Sequence, residues 1–311
     1  MQWLKEGEHN TIFFHRSTVG NRAHNKISSI KDEGGNLLHS REEIAAVLVQ
    51  HFCGIAQESF SDKEQSIRVI SRHIPKLVSN EDNLNLNSPI SEEEISEVLK
   101  EIQNGKAPGP DGFNVDFFKA CWNIVKQDVL NVVEDSRRDK TILKALNNTF
   151  IALIPKQDSA LTPDRFRPIA LCNVVYKIIS KVVASRLKPL LPTLVSGEQS
   201  GYVEGRQILD NIIQDHEVLH SLTSKRKDGM IMQLDIAKTY DKLNWNYIRK
   251  VLMAFGFDHN WIRWVMALVT SPSFSILVNG SPSETFIPSR GLRRGDPLSP
   301  FLFILMMEGL G

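Results

Sequence analysis

Several things are scarce in this sequence, and each shortage narrows what the chain does. Three dispersed cysteines among 311 residues, Cys53, Cys121 and Cys172, form neither an even disulfide framework nor a metal-ligand spacing. The nine histidines do not group with them, so the cysteines read as reduced thiols of an intracellular protein. No apolar run approaches the ~20 residues that span a bilayer, and Lys5, Glu6 and Glu8 near the start do not read as a secretory signal. An excess of one charge is also missing, since 37 Lys plus Arg face 36 Asp plus Glu, a formal net charge of +1. Overall composition therefore gives no independent sign of a polyanionic partner. Any basic groove must come from local clusters such as Lys225-Arg226-Lys227, or Arg290 with Arg293 and Arg294. There is no internal repeat or low-complexity segment, and no two aspartates are adjacent.

What is present is enough apolar material, 41% of residues, for a sizeable core in a chain of about two domains. The most informative stretch is Met230-Ile231-Met232-Gln233-Leu234-Asp235, followed by Ile236-Ala237-Lys238-Thr239-Tyr240-Asp241. A period of two puts Ile231, Gln233 and Asp235 on one strand face, with Met230, Met232, Leu234 and Ile236 on the other. An apolar back packs on helices while a carboxylate at the strand end looks into a cleft. Hard divalent cations take oxygen ligands, so Asp235 suits a metal that bridges phosphates. A strand-end Asp also serves as a cap for the next turn, and the residues of this stretch alone do not choose.

Other stretches decide. The segment from Leu234 to Asp241 resembles the first catalytic motif of reverse transcriptases of LINE-type (non-LTR) retrotransposons, in particular the branch abundant in plants. Gly105-Lys106-Ala107-Pro108-Gly109-Pro110-Asp111-Gly112-Phe113 is similar to the segment that opens their polymerase domain. Ile154-Pro155-Lys156 with Phe166-Arg167-Pro168-Ile169 resembles the fingers motif, and Gln199 to Asn211 the motif after it. Gly291-Leu292-Arg293-Arg294-Gly295-Asp296-Pro297-Leu298-Ser299-Pro300 is similar to the substrate-positioning motif. Trp3-Leu4-Lys5-Glu6-Gly7 with Phe13-Phe14-His15 resembles the connector that follows the endonuclease of such elements. Ordered motifs over nearly the whole chain are far more specific than any one of them.

The resemblance implies an RNA-directed DNA polymerase, copying element RNA into DNA by two-metal nucleotidyl transfer. Its partners are an RNA template, a DNA primer and deoxynucleoside triphosphates, its cofactor Mg²⁺, its location the nucleus, with no membrane. Asp235 becomes the catalytic metal ligand. Lys156 and Arg167 become triphosphate contacts, one a point charge and the other a fork. Tyr240 lies where the family places an aromatic residue under the sugar of the incoming nucleotide, leaving no room for a 2′-hydroxyl. Gly295 lies beside the nascent base pair, where backbone must approach closely, and Arg206 with Gln207 falls on the template, Arg206 as a backbone contact. Two positions depart from the family pattern. Gly201-Tyr202 replaces a small residue followed by Phe, and Arg294 replaces Gln, adding a positive charge beside the nascent pair.

The implied fold is α/β (α+β), a right-hand polymerase with fingers, a truncated palm and no thumb. Residues 1–87 are expected to be a polar, irregular connector with a short helical stretch around Glu42 to Phe52. Residues 88–229 form the fingers and 230–311 a partial palm. A helix is expected from Ser91, capped by a box with Glu94 and stapled by Ile90 and Ile95, burying Ile95, Val98, Leu99 and Ile102. It ends at Asn104-Gly105 in a turn-rich loop. Ile151 to Ile154 pairs with Phe166 to Leu171 as a hairpin. A helix follows with Val175, Ile178, Ile179 and Val182 as its stripe, then another from Gly205-Arg206-Gln207 with Ile208, Ile212 and Val218 as apolar residues. Two supporting helices carry Ile248, Val251, Leu252 and Phe255, then Ile262, Val265 and Val269. Phe274 to Val278 turns at Asn279-Gly280 and returns through Phe286 and Ile287, and Pro297 opens a last helix. Asp241, before Leu243-Asn244-Trp245, also fits a residue that prepares the next helix.

In the family a hairpin with two adjacent aspartates follows the last helix, and one carboxylate does not hold two reluctantly dehydrated Mg²⁺ ions. The chain by itself is therefore expected not to polymerise, and the Asp235 strand to present an unpaired apolar edge. The alternative is a non-catalytic RNA-binding remnant of a decayed element. A different right-hand polymerase fits less well: Tyr240 argues against an RNA-copying RNA polymerase, the connector against an intron-encoded maturase.

Overall fold

A computed structural model describes residues 20, 24–58, 64–158, 160–225, 229, 232, 236 and 238–309. Of the predicted strand ending in Asp235, only Met232 is described; it and the following Ile236, both expected on the packed apolar face, lie in no strand and are 68% and 54% exposed. The remainder of that strand, the connector motif at Trp3 to His15, and Arg226 with Lys227 lie outside the described residues. The rest is mixed α/β, built on one four-stranded sheet that joins two distant parts of the sequence. Strands β3 (Asn148–Pro155) and β4 (Phe166–Cys172) form the predicted hairpin, in which Ile154 pairs with Arg167. Strands β5 (Ser273–Val278) and β6 (Ser281–Phe286) form the second, turning at Asn279 and Gly280 with both φ angles positive, as a tight hairpin turn requires. β5 lies parallel to β3, so the order is β4-β3-β5-β6 and the sheet crosses the expected boundary near residue 229. A separate two-residue ladder, β1 (Ile30–Lys31) with β2 (Leu37–Leu38), sits near the N-terminus.

Among its described residues, the 1–87 region holds more helix than the stretch expected around Glu42 to Phe52. It holds α1 (Arg41–Ala56), α2 (Glu64–His73) and α3 (Asn80–Leu86). Two capping boxes, Ser40 with Glu43 and Ser79 with Asp82, start the first and third of these. The segment is also anchored. Ser289 and Arg290 donate backbone N–H groups to the Ala56 carbonyl, and Arg290 donates its Nε to the Ile55 carbonyl at 2.8 Å.

The Ser91 helix, α4 (Glu92–Glu101), buries Ile95, Val98 and Leu99 as its stripe predicts. Its box is only half formed. Ser91 accepts the Glu94 N–H, but the Glu94 carboxylate turns away to meet Arg186 at 2.7 and 2.8 Å. A charge-assisted fork to a half-buried guanidinium outweighs a return bond to one exposed amide. Arg186 also donates to the carbonyls of Leu86, Ser88 and Pro89, fixing the chain between α3 and α4.

After α5 (Val115–Ala120), α6 (Trp122–Asp139) and the short α7 (Lys144–Asn147) comes the sheet, then α8 (Val174–Leu187) and α9 (Leu191–Leu194). Ile178, Ile179 and Val182 of α8 are wholly buried. The loop before α5 packs against the start of α8. A Cβ built on Gly109 would stand 2.3 Å from Asn173 Oδ1 and 2.6 Å from the Cys172 carbonyl carbon, so only glycine fits there. On α10 (Ile208–Ser224), the apolar residues Ile212 and Val218 are 46% and 55% exposed.

α11 (Thr239–Lys242), α12 (Trp245–Phe255) and α13 (His259–Thr270) complete the support of the sheet, the last two burying every residue their periodicity marks. The final helix α14 (Ser299–Glu308) starts two residues after Pro297, with Pro300 in its first turn. Asp296, not proline, prepares it: its buried carboxylate accepts Ser299 N–H at 3.1 Å and Ser299 Oγ at 2.8 Å.

Candidate nucleotide site

Lys156 follows β3 and Arg167 lies on β4, and the alternation of the paired strands puts both on one face of the hairpin. Both are exposed. The Lys156 ammonium donates to the Asp164 carbonyl at 2.7 Å, while Arg167 makes no side-chain hydrogen bond among the described residues. The hairpin connects directly to the glycine-rich loop, because Ala170 N–H donates to the Arg294 carbonyl at 3.0 Å.

That loop is clamped at its other end on α11. Gly291 N–H donates to the Leu243 carbonyl and Leu292 N–H to the Tyr240 carbonyl, each at 2.7 Å. The Gly291 carbonyl accepts Trp245 Nε1–H at 2.9 Å. Gly291 has φ of 92°, and a Cβ there would lie 2.6 Å from the Asp241 carbonyl oxygen. Gly295, at φ of 99°, is exposed and leaves open backbone at the loop tip.

Arg294 and Asp241 join the two ends. Their side chains meet at 2.9 Å, with 34% and 22% of each exposed. Burial lifts the Asp241 carboxyl above the ordinary carboxylate range, opposed by Arg294 and, more weakly, by Lys238 and Lys156. The charge introduced where the family has Gln is thus neutralised inside the protein. Arg294 Nε is buried and has no partner among the described residues.

Replacing Arg294 by Gln is expected to cost about 1–2 kcal/mol at neutral pH, less than a fully buried pair because a third of the guanidinium stays exposed. The Asp241 carboxyl should rise further. A carboxyl raised in the folded state adds stability that is complete below its ordinary value and is lost as pH climbs through the raised one. The deficit of the variant should therefore shrink on acidification toward the usual carboxylate value of 3.8. Urea melts across pH, with the Asp241 side-chain NMR titration, check this; a pH-independent deficit refutes the pairing.

Tyr240 stacks on Phe303 of α14, ring centroids 4.3 Å apart at 22°, and burial pushes its hydroxyl to about 12. Its ring is half-buried, its orientation fixed from below. Asp241 was readable only as a helix-preparing residue; the ion pair it forms spans more than fifty residues and has no local signature.

Two expectations are corrected. Arg293 belongs to no basic groove: it is 7% exposed, lies 3.9 Å over the Tyr176 ring, and donates to Asn147 Oδ1 at 2.5 Å and the Leu268 carbonyl at 3.1 Å. Arg290 and Arg294 line one mostly apolar cavity with Arg293, and both are engaged as described. Arg206 is a clamp within the protein rather than a hand for template phosphate. Its two terminal nitrogens donate to the carbonyls of Pro192, Val195, Ser196 and Gln199, closing the turn after α9. Gln207 is exposed at the N-terminus of α10, its N–H donated to Asp210 at 3.2 Å. Asp235 lies outside the described residues, and among the described residues no three His, Cys, Asp or Glu side chains converge on a metal position.

A basic hairpin, a glycine loop and an aromatic–carboxylate turn held on one α/β sheet form the framework of a template-copying polymerase. Comparison with known proteins supplies the family. Residues 154–311, just over half of the chain, match the family model described as reverse transcriptase (RNA-dependent DNA polymerase). The chain belongs to the reverse transcriptase family. It is similar to the transposon TX1 uncharacterized 149 kDa protein of Xenopus laevis, 27% identical over 223 residues, 72% of this chain and 17% of that protein. The Pol polyprotein of the type-2 retrotransposable element R2DM of Drosophila melanogaster is 26% identical over 72% of this chain and 20% of its own length. That of the type-1 retrotransposable element R2 of Popillia japonica is 27% identical over 71% and 30%. The chain thus spans less than a third of the length of these relatives, which belong to transposon TX1 and to R2-type retrotransposable elements. Members of the family act on RNA templates and nucleotides and generally use divalent metal ions.

Proposed function

We propose that this chain carries the nucleotide-binding part of a retrotransposon polymerase that copies element RNA into DNA in the nucleus. What supports the reading is that the β3–β4 hairpin, α11 and the Gly291–Gly295 loop, which carry Lys156, Arg167, Tyr240 and Gly295, are hydrogen-bonded to one another although distant in sequence. On this reading Lys156 and Arg167 bind the triphosphate of a deoxynucleotide, Gly295 lets the base pair approach, and Gln207 meets the template. The sugar rests on Tyr240. Asp235 is the proposed ligand of Mg²⁺, supported by sequence resemblance alone; bound metal would supply charge neutralisation at the phosphates.

Primer extension on an RNA template with Mg²⁺ and deoxynucleotides, by the chain joined to a segment that supplies the paired aspartates and completes the polymerase domain, tests the reading, run beside a gel shift with the same RNA. Extension upholds it, and binding without extension replaces it with a non-catalytic RNA-binding role. Tyr240→Ala is expected to reduce the preference for deoxynucleotides over ribonucleotides by roughly tenfold or more, each factor of ten being about 1.4 kcal/mol in the transition state. Unchanged sugar discrimination would refute the role of the ring.

A further inference from the structure

α12, α13 and the segment from Lys140 to Lys144 enclose an open groove of about 740 Å³, whose lining shares no residue with the nucleotide site. Its walls carry Lys144, Arg249, His259 and Arg263, all exposed. None of the four makes an ion pair among the described residues. The apolar floor is formed by Ile262 and Met266, with Met253 at the lip, 51% exposed. Nearby carboxylates are already engaged. Asp258 caps α13 by accepting Asn260 N–H at 2.8 Å, and Glu134 is forked by Arg137 and accepts Ile90 N–H at 3.1 Å. Lys140, at one end, donates to the Arg137 carbonyl, and its ammonium is destabilised first by burial and then by Arg137.

This arrangement is unusual in a chain whose formal net charge is only +1. Unpaired cations at this density repel one another, a cost that an anion would relieve. Separate charges along the walls suit a chain of phosphates better than one compact anion, and the apolar floor suits ribose or base faces.

We propose that the α12–α13 groove is a second nucleic-acid site that binds the phosphate backbone of a strand outside the nucleotide site. It rests on the preceding reading only in taking nucleic acid as the polyanion. RNA and DNA share the phosphate chemistry, so both are tested.

The experiment is fluorescence anisotropy of the full chain with a labelled single-stranded RNA and a DNA of the same sequence, across a salt series. The variant carries Lys144→Glu, Arg249→Glu and Arg263→Glu; a control carries Arg72→Glu, Lys100→Glu and Lys188→Glu, exposed positions elsewhere with the same charge change. Affinity should fall at least tenfold in the groove variant only, with the slope of log K against log salt reduced by about 2, three lost contacts at ~0.7 each. A 2′-hydroxyl preference would appear as a larger loss for RNA, and equal losses would mark pure backbone binding; either supports the site. Equal weakening by variant and control overturns it, as does groove-dependent binding of polyglutamate with none of nucleic acid, which would mark an acidic protein partner. Circular dichroism confirms that each variant is folded. Lys156→Glu with Arg167→Glu, made in the completed polymerase domain, separates the two ideas: loss of extension with groove-dependent binding intact is expected, and absent extension by that domain without the substitutions, with groove-dependent binding present, removes only the polymerase reading.

Discussion

Replacing Arg293 by Ala should destabilise the fold by roughly 3–5 kcal/mol, a large share of the 5–15 kcal/mol typical of a folded protein. The guanidinium is flat against Tyr176 and joins three parts of the core: Asn147 before β3, Thr149 on β3 and the Leu268 carbonyl in α13. Burial opposes its charge, yet Tyr176, Cys172 and Asp296 around it leave its proton held more tightly than usual. Removing it strands several buried acceptors, each costing about 1–3 kcal/mol, and opens a cavity. Lys should rescue little, because one ammonium does not reproduce a planar fork that also stacks on a ring. Urea denaturation measures both variants, and a loss under 1 kcal/mol for Ala would contradict the structural role.

The second large effect is expected at Gly291. Substitution by Ala places a Cβ within 2.6 Å of one backbone oxygen and 3.0 Å of its carbonyl carbon, neither of which belongs to a movable side chain. It also forces an L-residue to φ of 92°. Left-handed strain of about 1–2 kcal/mol and overpacking of about 1–3 kcal/mol together give a loss near 2–4 kcal/mol. Amide exchange at Leu292 should accelerate as its bond to the Tyr240 carbonyl loosens, and Trp245 fluorescence should change with loss of the bond to Gly291. Gly280→Ala is the control: it too has positive φ, but nothing lies within 4 Å, so it should show only the strain. Equal losses at both positions would mean that the clamp on α11 is unimportant.

Local chemistry made much of the fold legible. Short apolar runs beside polar loops marked both hairpins, Asn279-Gly280 named its own turn, and helical stripes identified α4, α8, α12 and α13. The helix around Glu42 to Phe52 was legible, and the capping boxes at Ser40 and Ser79 would have fixed its start and revealed the helix from Asn80 in a region otherwise read as irregular. A polar composition hid it, because a helix with one narrow apolar stripe looks hydrophilic overall. The exposure of Ile212 and Val218 on α10 was not legible: periodicity shows that a face is apolar, not that a neighbour covers it.

The nucleotide site divides the same way. Its ordered motifs identified the family and singled out Lys156, Arg167, Tyr240 and Gly295. The fates of the arginines were invisible, since Arg206, Arg293 and Arg294 are alike as letters but differ in what folds around them. One closes a turn, one is buried against a tyrosine, and one neutralises Asp241.

The sequence by itself determined the helices and strands, the tight turns and the family, because each depends on spacing between near neighbours or on motifs in order. Only the tertiary structure decided that β3 lies beside β5, which arginines are free, and that four unpaired basic groups share the α12–α13 groove. Burial and charge pairing depend on distances through space, which residues far apart in the chain acquire only when it folds.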